Sequence, residues 1–382
     1  MDTTARAIVV GGGIVGTATA YRLTEAGVPT VLLDAGEPGR GTSASSFAWL
    51  NSAHKHPRAY HDLNVAGMAE HAALAAEFAD APWYHPVGGL SWALTPAGQE
   101  EQRRDAARQD SWAYRSEAIS PERAMRELEP GLRLDPALVP EVWYTPAEGW
   151  VDVPALIRQL LARAEERGLV VRAHSAVAAI EHDVGERVTG VALVGGERLH
   201  AAALVNCAGP RADAVAALLG WDLPLERLPG LLTVTGPLTP PSRLVCHAGD
   251  ITFRPDPGGG LVLAHAEDLD RTVAADTPLA PPPAACAEAL RRTARAYPAV
   301  ASAGIASARI GVRPIPRDGV SVIGRVPGCT NAYVGVTHSG VTLGPLIGRR
   351  LAAALTGDAF APDLTPFSPA RFATMVAPAL PD

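Results

Sequence analysis

The sequence predicts an α/β fold in which one parallel sheet is assembled from separated stretches of chain and a second, antiparallel sheet lies between them. Three observations carry this prediction. Residues 5–36 read as strand, glycine-rich turn, helix and strand. Two further apolar strands, Ala203–Val205 and Ala332–Val336, run into glycine turns far downstream. Residues 221–270 are strand-like, with a turn at Asp256–Gly260. A length of 382 residues suits about two domains sharing one body.

Ile8, Val9 and Val10 form the first strand, followed by Gly11-Gly12-Gly13-Ile14-Val15-Gly16. Gly11, Gly13 and Gly16 complete G-x-G-x-x-G: the first permits a tight turn, the second lets a pyrophosphate approach, and the third packs helix closely on sheet. Ile14, Ala18, Tyr21 and Leu23 recur at helical spacing, and Gly27 stands where a helix ends. The helix opens at Ile14 and Val15 with free N–H groups and its positive dipole end toward a phosphate. Thr30–Leu33 is the second strand, and Asp34, 18 residues after Gly16, ends it where a carboxylate accepts the ribose hydroxyls of an adenosine. This is a Rossmann-type unit. Its acid suits NAD and FAD equally.

Gly36–Asn51 is a small-residue loop that a cofactor can approach. A helix is predicted over 60–80, short strands and polar helices over 85–145, and a helix entered through Trp150-Val151-Asp152-Val153-Pro154 and closed by Gly168. A strand at Val170–Arg172 and hairpins over 176–205 lead to Val205-Asn206-Cys207-Ala208-Gly209, read as another member of the first sheet. After a proline-rich stretch and helix at 277–298, strands recur at Ala308–Pro314, Val320–Gly324 and Ala332–Val336. A last helix opens near Ser339-Gly340 with no acidic residue in its first turns. Its electropositive end suits the pyrimidine carbonyl of a flavin. No second G-x-G-x-x-G accompanies the first, so a flavin reduced directly by substrate fits better than one reduced by a nicotinamide.

Composition narrows the partners. A formal net charge of −7 without a basic block argues against nucleic acid or an anionic membrane surface. No apolar run has the ~18 residues of a membrane span, and 47% hydrophobic with 19% charged residues excludes a disordered chain. A small-molecule substrate is expected. Cys207, Cys246, Cys286 and Cys329 form no C-x-x-C pair and read as reduced core thiols, with no metal site. The first strand begins too early for a signal peptide, which makes the cytoplasm the expected compartment. Lys55 is the only lysine and reads as exposed.

Taken jointly, Gly11-x-Gly13-x-x-Gly16 with Asp34, Gly41-Thr42-Ser43, Gly149-Trp150-Val151-Asp152, Val205–Gly209, Gly311-Val312-Arg313-Pro314, Asp318-Gly319, Ile323-Gly324 and His338-Ser339-Gly340 carry a resemblance. Over nearly its whole length the chain resembles the FAD-dependent amine oxidoreductases of the D-amino-acid oxidase superfamily, in the glycine oxidase and sarcosine oxidase branch. The resemblance implies a discontinuous Rossmann-type FAD domain (1–85, 145–220 and 305–382) and an antiparallel α+β substrate domain (86–144 and 221–304). It implies cofactor contacts from Ala35, Thr42, Ser43 and Ser46, from Val177 at the adenine, from Ala208 and Gly209, and from Gly311 and Arg313. His338, Ser339, Gly340, Val341 and Thr342 complete that set. Sarcosine oxidases tether flavin through a cysteine beside the Arg313 position; Val312 and Arg313 stand there instead, so FAD is expected to be non-covalent.

An amino acid oxidised at its α-carbon must hold its carboxylate on a fixed cation so that the C–H bond faces flavin N5 for hydride transfer. Arg313 is the chosen cation: Pro314 forces it into an extended conformation at a strand end, and it matches the carboxylate-binding arginine of glycine oxidase. Thr252 and Arg254 lie on one face of a strand that presents substrate-facing side chains in the family. Thr252 stands where glycine oxidase has a tyrosine, and His338 where it has another arginine, which weakens glycine itself as the substrate. The expected activity is oxidation of an amino acid or a secondary (N-alkyl or cyclic) amino acid to the imine, with O2 as acceptor. The alternatives are a dehydrogenase or heteromeric subunit passing electrons to a quinone or partner, and a non-catalytic FAD-binding subunit. Substrate chirality and oligomeric state stay open.

Overall fold

A computed structural model describes residues 6–184, 186–265, 267–273, 280–358 and 362–373. Its six-stranded sheet has the spatial order Val322–Arg325, Ala332–Val336, Ala203–Asn206, Ala7–Val10, Thr30–Leu33 and Val170–Arg172. All neighbours are parallel except the edge strand Val322–Arg325, which runs antiparallel to Ala332–Val336. Parallel strands are covered on both faces, hence their near-continuous apolar runs. Val9, Leu32 and Val205 pack toward one helical layer that includes Ile14, Leu346 and Ile347. Ile8, Val10, Val31, Leu33 and Leu204 face the other layer, a three-stranded meander over 177–200 and the helix Ala212–Ala217.

The helix Ile14–Glu25 is buried along almost its whole length, against Val153–Glu165 and Gly340–Leu355. Glycines set the separation of the first and last helices. A Cβ on Gly348 would stand 2.6 Å from the Ala18 carbonyl carbon, and one on Gly344 2.8 Å from Ile14. Both helices follow strands of the parallel sheet, so their N-termini open at the same end of it. Asp152 caps the helix Val153–Glu165 by accepting from the Ala155 N–H at 3.1 Å.

The second sheet has eight strands in the order Ile305–Pro316, Leu225–Thr235, Leu261–His265, Ile251–Pro255, Val245–His247, Gly89–Ser91, Val142–Thr145 and Glu117–Ile119. All its pairings are antiparallel except Val245–His247 with Gly89–Ser91. The helix Pro283–Ala296 and the cluster around Trp92, Phe253 and Tyr297 cover one face. Residues 305–316 pair with 225–235 from Leu225↔Pro316 to Thr235↔Ile305. They therefore extend the antiparallel sheet, whereas the expected division grouped 305–382 with the parallel one. Among the described residues no helix is long and apolar enough to cross a membrane, no cluster could hold a metal, and all four cysteines are free and buried.

Candidate active site

Gly11 adopts φ +104°, and a Cβ there would stand 2.4 Å from the Cys207 carbonyl oxygen. A Cβ on Gly16 would lie 1.8 Å from the Gly11 oxygen. Neither glycine lines the main cavity. They bring the first turn onto the strand Ala203–Asn206 and set the helix start. Gly13 is the residue left open to a ligand: its nearest obstacle is the Ser43 hydroxyl, at 3.1 Å from a built Cβ. Asp34 accepts from the N–H of Gly12 at 2.7 Å and of Gly36 at 2.8 Å, which holds its carboxylate beside the glycine turn.

A cavity of about 690 Å3 begins at Gly13, Ile14 and Val15, passes Thr42, Ser43 and Ser46, and reaches Gly209 and Gly311. The segment His338–Thr342 closes one wall. Thr42 Oγ1 donates to the Val312 carbonyl at 2.7 Å, and Thr342 Oγ1 to the Trp49 carbonyl at 3.1 Å, so the small-residue loop is pinned to the strand Ile305–Pro316 and to the helix Gly340–Leu355. Ser339, buried, shares a 2.8 Å hydrogen bond with Tyr60 Oη. The helix Gly340–Leu355 has no acidic residue in its first turn and no side-chain cap, so its positive end acts on the cavity. Ala35 is exposed, and Val177 begins its strand two residues after Ser175, whose N–H donates to the Asp34 carbonyl. Ala35, Ala208 and Val177 stand outside the cavity.

Arg313 lines the cavity. Its Nη2 donates to Asp270 Oδ2 at 2.6 Å and to the Pro229 carbonyl at 2.9 Å, while Nε has no partner. Asp270, which sequence reasoning missed, also accepts from the Leu231 N–H at 2.8 Å. Burial raises its carboxyl above the usual range despite the guanidinium. His338 projects into the same space; enclosure by protein, with the Lys55 and Arg313 cations, pushes its imidazole down to about 4. It is neutral at neutral pH and so serves as a hydrogen-bonding group rather than a cation.

Thr252 does not line the cavity but hydrogen-bonds His247 Nδ1 at 2.6 Å, and His247 does. His247 stacks on Trp49, and burial pushes it down to about 4. Arg254 shares Thr252's face yet sits two residues, or ~7 Å, further along the strand. It lies over the Trp150 ring at 4.6 Å, donates to the carbonyls of Phe47 and Pro255, and faces a separate cavity of about 130 Å3 with Arg309. Burial pushes its guanidinium down to about 10. Lys55, read from sequence as exposed, is half-buried and lines the main cavity. Cys207 is the cysteine that reaches the cavity, and burial raises its thiol to about 12.

Behind Trp49, Glu148 accepts from Trp49 Nε1 at 2.9 Å and Tyr114 Oη at 2.8 Å. It is buried, and desolvation raises its carboxyl from about 4.5 to about 8. The unfolded chain ionises this acid first, so stability falls as pH rises through that window and levels off above it. Glu148→Gln removes the penalty. It is expected to stabilise the protein by on the order of 1–2 kcal/mol near pH 8 and by progressively less toward pH 5. Thermal denaturation at several pH values checks this; a pH-independent difference would contradict it.

A glycine cradle, a terminal acid on the second strand, two helix ends lacking acids and a cation on the far sheet fit a dinucleotide carrying a flavin, and so define a flavoprotein of the dinucleotide-binding α/β class. The model of the "FAD dependent oxidoreductase" family matches residues 6–354, and the chain belongs to this family. It is an FAD-dependent oxidoreductase. The chain is 24% identical to one of the subunits of opine oxidase from Agrobacterium tumefaciens over 380 residues, covering 95% of this chain and 96% of that one. The structure of glycine oxidase from Geobacillus kaustophilus superposes with a TM-score of 0.83 at 23% identity, covering 96% and 98% of the two chains. That of iminodiacetate oxidase from Chelativorans sp. BNC1 gives a TM-score of 0.83 at 22% identity, covering 95% and 99%.

Proposed function

We propose that the protein oxidises the carbon–nitrogen bond of an amino acid, or of a secondary (N-alkyl or cyclic) amino acid, to the imine, with FAD held non-covalently and O2 as acceptor. The observation that carries this reading is Arg313: a guanidinium on the wall of the cavity that also receives the two helix ends. The activities named for the similar oxidases point to the same substrate class. When bound, FAD supplies the two-electron oxidant for the C–H bond beside nitrogen. The chain supplies orientation. Asp270 and the Pro229 carbonyl fix the guanidinium through Nη2, which leaves Nη1 to receive a carboxylate. Neutral His338 and His247 add hydrogen-bonding capacity without charge. The raised thiol of Cys207 is a poor nucleophile at neutral pH, which supports non-covalent cofactor.

Anaerobic mixing with D-, L-, N-methyl and cyclic amino acids is expected to bleach the flavin absorbance for at least one class, with hydrogen peroxide formed once air is admitted. Failure of every carboxylated amine to bleach it would sink the reading. Bleaching without peroxide, together with turnover on a quinone, would reassign the acceptor.

A further inference from the structure

Resting on that reading, we propose that Lys55 binds a second carboxylate, so that the preferred substrates are secondary amines bearing a carboxylate on each nitrogen substituent. The argument is a charge inventory. The cavity wall carries three charged side chains among the described residues, Lys55, Arg313 and Asp270, together with the imidazoles of His54, His247 and His338. Arg313 is matched by Asp270 at 2.6 Å, and His54 by Asp105 at 2.6 Å. Lys55 forms no ion pair within 4 Å among the described residues; its one described contact is the Tyr60 ring, 5.9 Å from Nζ. Glu148 lies close enough to feel Lys55, but burial keeps that acid protonated at neutral pH, so it does not neutralise the lysine. An ammonium half-buried in a cavity without a counter-charge favours an anionic group on whatever enters.

The second cation belongs to the same binding space as the first. Lys55, Arg313 and His338 line one cavity, and the His338 ring is kept neutral first by burial and then by the two cations. One small molecule can therefore meet both cations, with the reacting amine between its two carboxylates. A monocarboxylate would leave Lys55 uncompensated. Lys55 is also the single lysine of the chain, so no neighbouring lysine can take over its role.

The test uses the FAD-loaded enzyme and two achiral probes of nearly the same shape: N-(carboxymethyl)glycine and its half-amide, N-(carbamoylmethyl)glycine. The wild-type enzyme is expected to prefer the diacid by about ten- to a hundredfold in kcat/KM, mainly through KM. Lys55→Gln is expected to collapse that ratio toward one, and Lys55→Arg to restore most of it. A wild-type ratio near one, or a ratio that Lys55→Gln leaves within twofold, overturns the proposal. A Lys55→Gln variant that keeps the ratio but binds FAD more weakly, or reoxidises more slowly in O2, assigns the lysine to cofactor phosphate or to oxygen and also overturns it. If monocarboxylated amines bleach the flavin while the ratio does not respond, only the second-carboxylate inference fails. If no carboxylated amine bleaches it, the parent reading fails as well.

Discussion

Replacing Arg313 with alanine is expected to lower kcat/KM for carboxylated amines by on the order of a hundredfold while the purified protein remains yellow. The guanidinium lies on the cavity wall and is held in place through Nη2 by Asp270. At 36% exposure its field is partly screened, which argues for the lower end of the losses seen when charged clamps are removed. The alanine variant also strands Asp270, which is only 10% exposed, so a loss of activity could come from local unfolding instead. The double variant Asp270→Asn/Arg313→Ala separates the two effects. Equal losses in the single and double variants, with unchanged Tm and flavin content, support a carboxylate clamp. Wild-type kinetics in the single variant remove it.

Gly16→Ala and Gly13→Ala are expected to part company although both alter the same motif. A Cβ at Gly16 meets the Gly11 backbone oxygen at 1.8 Å, a collision no side-chain rotation relieves. Its cost should be about 3 kcal/mol or more, enough to lower Tm sharply and release FAD. A Cβ at Gly13 meets only the Ser43 hydroxyl, at 3.1 Å, and Gly13 lines the cavity. That variant should keep its far-UV CD and melt within a few degrees of wild type, yet bind FAD at least about tenfold more weakly because the methyl occupies the approach to the helix end. Normal flavin affinity in Gly13→Ala, or a normally folded, yellow Gly16→Ala, would contradict this division of labour.

Several features were legible from residue order because their causes are local. The glycine motif, the apolar strands, the helix entry through Trp150–Pro154 and the acid-free last helix each follow from backbone sterics, burial on two faces or hydrogen bonding within a few residues. The strand Ile305–Pro316 was harder to assign. Its apolar pattern suits either sheet, and only pairing with a segment some eighty residues earlier decides which one it joins. Thr252 and Arg254 show a similar limit: alternation gives the shared face but not what each residue meets along it.

By itself, then, the amino-acid order determined that this chain builds a dinucleotide-binding parallel sheet with a second antiparallel sheet, and the family resemblance of its motifs pointed to FAD. Only the tertiary structure decided the charge balance of the cavity. Asp270 arrives from a helix after a separate strand, Lys55 from a loop between the small-residue segment and a helix, and His247 from a short strand of the far sheet. Coulombic and desolvation effects depend on distance and enclosure, quantities that spacing along the chain does not encode once the contacts span dozens to hundreds of residues.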